Sequence, residues 1–267
     1  MKLSEIYQIA DSLAPKALSD EYCAKYGAYD NSGILLDTGE EIRSAVVSLD
    51  LSFQAIEKDL ELGANLSVTH HPAIYGKIGS IRVSDFEPLG EKLARCLKNG
   101  ISVISMHLNL DCAEDGIDDR LAEGIRKAAG GGSPARTMQP LERGGYGKAY
   151  DVAETPLETL VGRIKKEFKT ERVLVYGDGE RKIGRVASFC GAGADEQTVA
   201  FAAKEGTDAV VSSDFKHHVI ALALERGLCV VALTHYASEN YGFEKYYQSI
   251  RQRISVPCEY VTDENLL

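Results

Sequence analysis

The stretch Ala64-Asn65-Leu66-Ser67-Val68-Thr69-His70-His71-Pro72 decides how the rest of the chain is read. Its apolar run has the length of a buried strand, and Pro72 keeps it from running on into a helix. Successive strand residues point to opposite faces, so His70 and His71 cannot both be core residues of regular β structure. If the strand ends there, the two imidazoles can splay around one or two ions. The bland alternative is one buried, hydrogen-bonded histidine beside one exposed loop residue.

The other histidines follow apolar runs in the same way. His107 ends Ile101-Ser102-Val103-Ile104-Ser105-Met106, and His235 ends Leu228-Cys229-Val230-Val231-Ala232-Leu233-Thr234. His217 and His218 come just after Asp208-Ala209-Val210-Val211-Ser212-Ser213. A carboxylate stands four residues beyond two of them, Asp111 after His107 and Glu239 after His235. On a turn or short helical segment that spacing brings both groups to one side. Imidazoles and carboxylates gathered where strands give way to loops are the raw material of a metal site.

Each pair has a structural competitor. Asp111 could cap a helix beside a structural histidine, and Glu239 could open a helix from about 239 to 253, where the helix dipole favours a carboxylate. Asp118 reads as the N-cap of a helix over 119–129, and Glu114, Asp115 and Asp119 as a solvated acidic face. The segment Ser213-Asp214-Phe215-Lys216-His217-His218 could bind an anion at a helix N-terminus or orient a metal ligand from behind. His217 and His218 are adjacent on that helix and so lie on different faces. Gly191-x-Gly193 lacks the third glycine of a dinucleotide fingerprint and reads as a tight turn.

Between these motifs strands alternate with helices. The spacing predicts an opening helix that stops near Pro15, then a loop rich in Tyr, Gly and Asp. Strands are expected over 44–49, 65–69 and 101–105, with helices over 53–62 and 89–98. After Gly130-Gly131-Gly132-Ser133-Pro134 the pattern restarts, with strands over 172–176, 185–190, 208–212, 229–233 and 257–261. The expectation is an α/β protein: two α/β domains with helix-covered, largely parallel sheets and a metal site in the cleft between them. The halves run over 1–130 and 147–267, joined by a Gly/Pro-rich connection at 131–146.

Bulk composition narrows the function classes. A formal charge of -10 argues against a surface that tracks nucleic-acid phosphates. The six cysteines form no C-x-x-C pair, so neither a thiolate zinc site nor a disulfide framework is expected. No apolar stretch reaches the ~20 residues that span a bilayer, and the first ten residues do not read as a signal peptide. The expectation is a cytoplasmic protein that binds no membrane.

Together the motifs resemble the YbgI/Nif-three-like family, often labelled GTP cyclohydrolase 1 type 2 homologue. The resemblance rests on Asp30-Asn31-x-Gly33, Thr69-His70-His71-Pro72, His107-x-Asn109-Leu110-Asp111, Gly191-x-Gly193-Ala194-Asp195, Ser213-Asp214-x-Lys216-His217-His218 and His235-Tyr236-x-Ser238-Glu239, in that order. Tyr29 departs from the tryptophan that often precedes Asp-Asn in the family. The resemblance implies a dinuclear metal centre with His70, His71, Asp111, His235 and Glu239 as ligands, His107 close by, and a toroidal homohexamer. Nitrogen and carboxylate ligands without thiolate suit two divalent ions per chain, Zn, Fe, Mn, Ni or Co.

The functional expectation is a two-metal hydrolase acting on a small phosphorylated or heterocyclic substrate. Two ions ~3.5–4 Å apart lower the pKa of a bridging water and steady transition-state charge. His107 is the candidate for proton handling, and Lys77 and Lys216 for meeting an anionic group. The rival is a metal or metallocofactor trafficking protein without turnover.

Overall fold

The computed structural model describes residues 1–133 and 135–267. In chain order it opens with α1 (Leu3–Leu13), α2 (Lys16–Tyr26), β1 (Gly33–Leu36), β2 (Ala45–Ser48), α3 (Phe53–Leu62) and β3 (Leu66–Thr69). Next come α4 (Leu89–Lys98), β4 (Ser102–Ser105), the short α5 (Leu108–Cys112) and α6 (Ile117–Ala129). A hairpin of β5 (Arg136–Pro140) and β6 (Gly145–Pro156) leads to α7 (Leu157–Glu167), β7 (Leu174–Tyr176) and β8 (Lys182–Ser188). The chain closes with α8 (Glu196–Lys204), β9 (Ala209–Ser212), α9 (His217–Glu225), β10 (Cys229–Ala232), α10 (His235–Arg251) and β11 (Cys258–Val261).

Two compact units result: Met1–Ala113 with Phe243–Thr262, and Glu114–Gly242 with Asp263–Leu267. The first holds a sheet of order β1-β4-β3-β2-β11. Strands β11, β2, β3 and β4 run parallel, and β1 pairs antiparallel with β4 at the edge. Every residue of β2, β3 and β4 is buried. Val- and Ile-rich runs of that kind form strands when both faces are covered.

The second unit's sheet has order β5-β6-β8-β9-β10-β7. Only β8, β9 and β10 are mutually parallel, while β5, β6 and β7 join antiparallel. The α/β class and the largely parallel first sheet are as expected; the second sheet differs in carrying antiparallel strands on both sides of its parallel core. The segment 131–146, read as a connection, lies inside this unit and supplies β5. Pro134 of that segment lies outside the described residues. Helix α2 also departs from expectation: Pro15 ends one helix and serves as the N-cap of the next, a place where its missing N–H costs nothing. Among the described residues no helix is long and apolar enough to cross a membrane.

The first unit's core contains one costly group. Asp59 of α3 is fully buried against β3; its Oδ2 accepts from Ser67 Oγ at 3.1 Å, and Oδ1 has no hydrogen-bond partner among the described residues. Burial pushes its carboxyl up to about 8, against the lowering effect of the Ser67 bond. An acid whose folded pKa lies above its unfolded value stays protonated in the fold while the unfolded chain ionises. Stability is therefore lost as pH rises from the ordinary Asp range toward 8. Asp59→Asn should remove that loss, so that the variant gains on the wild type by up to about 1.4 kcal/mol per pH unit across the window. Urea denaturation at several pH values reads this directly; parallel pH profiles for the two proteins would contradict it.

Candidate metal centre

Thr69 at the end of β3 lies beside Ser105 at the end of β4, and their hydroxyls meet at 2.7 Å. The residues that follow emerge together at the carboxyl edge of the sheet, the position where open α/β sheets bind ligands. His70 is fully buried there, and its Nδ1 lies 2.7 Å from the Met106 carbonyl oxygen. A carbonyl only accepts, so Nδ1 carries the proton and the Nε2 lone pair is the one that can bind a cation.

The same arrangement recurs at three more histidines, with carboxylates as acceptors. His71 Nδ1 meets Asp50 Oδ1 at 2.8 Å and His107 Nδ1 meets Asp30 Oδ1 at 2.7 Å. In the second unit His235 Nδ1 meets Asp214 Oδ2 at 2.6 Å. Metal-binding imidazoles are characteristically held this way, with the distal nitrogen fixed by an oxygen that sets tautomer and orientation.

Carboxylates close each set. His107 is the N-cap of α5, and the turn that follows brings Asp111 back so that its N–H donates to the His107 carbonyl at 2.9 Å. His70, His107 and Asp111 each offer a donor atom within 4.8 Å of the others. His70 Nε2 and Asp111 Oδ1 are 3.5 Å apart, and His235 Nε2 and Glu239 Oε1 are 3.1 Å apart. Two donors ~2.1 Å from one ion stand ~3.0 Å apart on an octahedral edge and ~3.4 Å apart on a tetrahedral one. Both pairs fit a shared cation.

Asp111 and Glu239 are almost fully buried, and a buried carboxylate costs several kcal/mol unless positive charge offsets it. The residues present therefore suit a divalent ion in spacing, in donor chemistry and in charge. Behind His107, burial works against the Asp30 charge, but hydrogen bonds from His107, Ser19 and Ser32 outweigh it and hold the carboxyl well below the usual range. His107 is pulled toward neutrality by burial, and the Asp30 hydrogen bond with the nearby Asp111 charge more than offsets this, leaving its pKa raised.

The Glu239 reading as a helix-opening carboxylate is corrected. Helix α10 begins at His235, so Glu239 lies one turn in, facing back to His235 rather than capping the first turn. Asp118 is corrected too. It lies inside α6, whose N-cap is Gly116, and is fully buried. It accepts from Gly147 N at 2.9 Å and Cys190 N at 3.2 Å, with Lys148 Nζ at 3.1 Å. Burial pushes its carboxyl up to about 6, while Lys148 pulls it down. The polar pattern of an acidic run hid this role, which is to hold the turn that leads into Gly191.

Gly191 does more than turn the chain. Its φ is +55°, and a Cβ there would overlap the Glu239 carboxylate oxygen and stand 3.3 Å from His235 Nε2. Its N–H donates to Ser238 Oγ at 3.0 Å, and Ser213 Oγ donates to its carbonyl. Only glycine leaves room for the His235–Glu239 pair. Of the remaining candidates, His217 and His218 are exposed at the start of α9, and His218 Nε2 pairs with Glu196 at 2.8 Å. Lys77 and Lys216 are exposed. Asp50 and Asp30, which fix His71 and His107, carried no signal in the sequence beyond Asp30's place in the Asp30-Asn31-x-Gly33 element.

The chain is similar over nearly its whole length to known proteins. The family model described as Duf34/NIF3 (NGG1p interacting factor 3) matches residues 1–264. A protein of Clostridium perfringens named GTP cyclohydrolase 1 type 2 homolog is 27% identical, the match covering 99% of this chain and 97% of that one. The solved structure titled reduced HcgD from Methanocaldococcus jannaschii is similar at a TM-score of 0.80 and 26% identity, over 98% of each chain. The protein ybgI structure gives a TM-score of 0.80 at 22% identity over 100% of each chain, a likeness of fold.

Two glycine substitutions separate space from conformation. Gly191→Ala combines a left-handed backbone with overlap onto Glu239, and should destabilise the chain by about 1–3 kcal/mol. Gly162→Ala in α7, where a Cβ meets nothing within 4 Å, should instead gain about 0.5–1 kcal/mol. Urea denaturation of both variants checks the pair; equal effects of the same sign would contradict the assignment.

Proposed function

The chain belongs to the Duf34/NIF3 family, and from that membership we propose that it holds two divalent metal ions through His70, His71, Asp111, His235 and Glu239 and hydrolyses a small phosphorylated or heterocyclic substrate. The observation that carries the reading is that the three proposed ligand imidazoles, and His107 as well, each have Nδ1 fixed by an oxygen. Structural histidines do not need that uniformity. In metal-binding imidazoles the nitrogen away from the ion is characteristically held by such an oxygen, which fixes tautomer and ring orientation before the ion arrives.

When bound, divalent ions would supply Lewis-acid activation of water and stabilisation of developing negative charge. The chain's own residues do the rest. Asp111 and Glu239 bring carboxylate charge into buried surroundings that strengthen electrostatic interaction. His107, backed by the ionised Asp30, is able to take up and return a proton at Nε2, the role assigned to it in hydrolysis. The homohexamer implied by the resemblance is part of the same proposal, and so is assignment of the activity suggested by the names of its relatives.

A second reading has its own support. The side chains of His71 and His235 are 25% and 34% exposed, so solvent and chelators reach two of the proposed ligands. That favours a site able to release metal, as a trafficking protein must.

The full-length chain reconstituted with zinc or manganese is expected to hydrolyse p-nitrophenyl phosphate or GTP. Glu239→Gln should lower the rate at least a hundredfold, equivalent to about 2.7 kcal/mol of barrier, while circular dichroism stays unchanged. An unaltered rate in that variant would sink the hydrolase reading. Fast exchange of bound metal with no turnover of either substrate would select trafficking in its place.

A further inference from the structure

Beside the His70–His107–Asp111 cluster stand two aromatic rings that the metal chemistry does not use. Tyr29 and Tyr75 are 55% and 53% exposed. Single exposed aromatics need no explanation, but these two are held together. Their ring centroids are 5.4 Å apart with planes at 78°, and Tyr75 Oη donates to the Tyr29 carbonyl at 3.1 Å. The backbone beneath them is tied down as well. Asn31 Nδ2 donates to the Ile74 carbonyl at 2.6 Å, and Ala73 N donates to Ser105 Oγ at 3.2 Å.

The pair is also placed at the cluster. The Tyr75 ring lies 6.3 Å from the His107 ring at 86°, and His107 lies 5.3 Å from His70. Two rings at such an angle form a corner, and about half of each residue is open to solvent. A planar ring entering that corner can stack on one tyrosine and meet the edge of the other. Stacking of a heteroaromatic base on an aromatic side chain is favourable whatever the base, because each base has a π-face. A sugar or a linear phosphoester offers no such face.

We infer that Tyr29 and Tyr75 form a stacking platform for a planar heteroaromatic ring, which makes the substrate or ligand of the neighbouring donor cluster a heteroaromatic compound rather than an aliphatic phosphoester. The inference rests on the metal-site reading above for what lies next to the ring, and on the two tyrosines alone for the ring itself. The corner is preorganised by the Tyr75 hydroxyl and the anchored loop, so little ordering cost is left to be met on binding.

The test is isothermal titration of the zinc-loaded full chain with two probes, guanosine 5′-monophosphate and ribose 5-phosphate, which share a sugar phosphate and differ in the ring. The nucleotide should bind at least tenfold more tightly. Tyr75→Leu should erase that difference with zinc content unchanged, and Tyr75→Phe should keep it. Equal affinity of the two probes in protein with full zinc content would overturn the platform and leave the metal reading standing. Failure of the wild type to take up zinc at all, with the ring preference retained, would do the reverse. If Tyr75→Leu changes the molecular mass measured by light scattering but not the ring preference, the tyrosines are a contact between copies of the chain, and the inference fails.

Discussion

The candidate site depends on one repeated interaction, an imidazole Nδ1–H held by an oxygen that cannot itself donate. His70 uses the Met106 carbonyl; His71, His107 and His235 use Asp50, Asp30 and Asp214. Within each unit the bond decides that Nε2 is the ring nitrogen turned away from the supporting oxygen, and does so before any cation arrives. A ligand set prepared in this way binds without reorganisation, whereas imidazoles left to choose their tautomer would lose affinity to rotation and to the wrong protonation state.

The surrounding fold serves those bonds. Parallel strands β3 and β4 end in register, so Met106 lies where the His70 ring needs an acceptor. The α5 turn and the first turns of α10 then place a carboxylate four residues beyond a histidine in each unit. Gly191 keeps that second pair free of a side chain, and the buried Asp118–Lys148 pair holds the backbone leading to it. These close tolerances suit the candidate site, where a cation would offset the charge of the buried Asp111 and Glu239.

Much of this was legible in the sequence because it is local. The parallel strands are short Val- and Ile-rich runs, and a histidine at the end of each run cannot share the fate of the residues before it. The i,i+4 spacing of His107 with Asp111 and His235 with Glu239 is a property of one turn of chain. What escaped was non-local or disguised. Asp50 is linked to His71 across twenty-one residues and looks like any loop acid. Asp118 shares an acidic run with the exposed Glu114 and Asp115, so only the fold reveals that it is buried against Lys148 and two backbone amides. The β5–β6 hairpin follows three glycines, and glycine-rich sequence gives no sign that antiparallel pairing will recruit it. Glu239 looks like a helix start only while Thr234 is read as the end of a strand; its Oγ1 accepts from Ala237 N at 3.0 Å, which caps α10 and starts it four residues earlier.

The most direct measurement is nitrogen-15 NMR of the histidine rings in metal-free protein at alkaline pH, repeated as zinc is added. The account predicts that His70, His71, His107 and His235 are all Nδ1–H tautomers, and that zinc moves the Nε2 resonances of the ligands while His217 and His218 stay in place. Nε2–H tautomers at His70, His71 and His235, or zinc-induced shifts confined to His217 and His218, would contradict it.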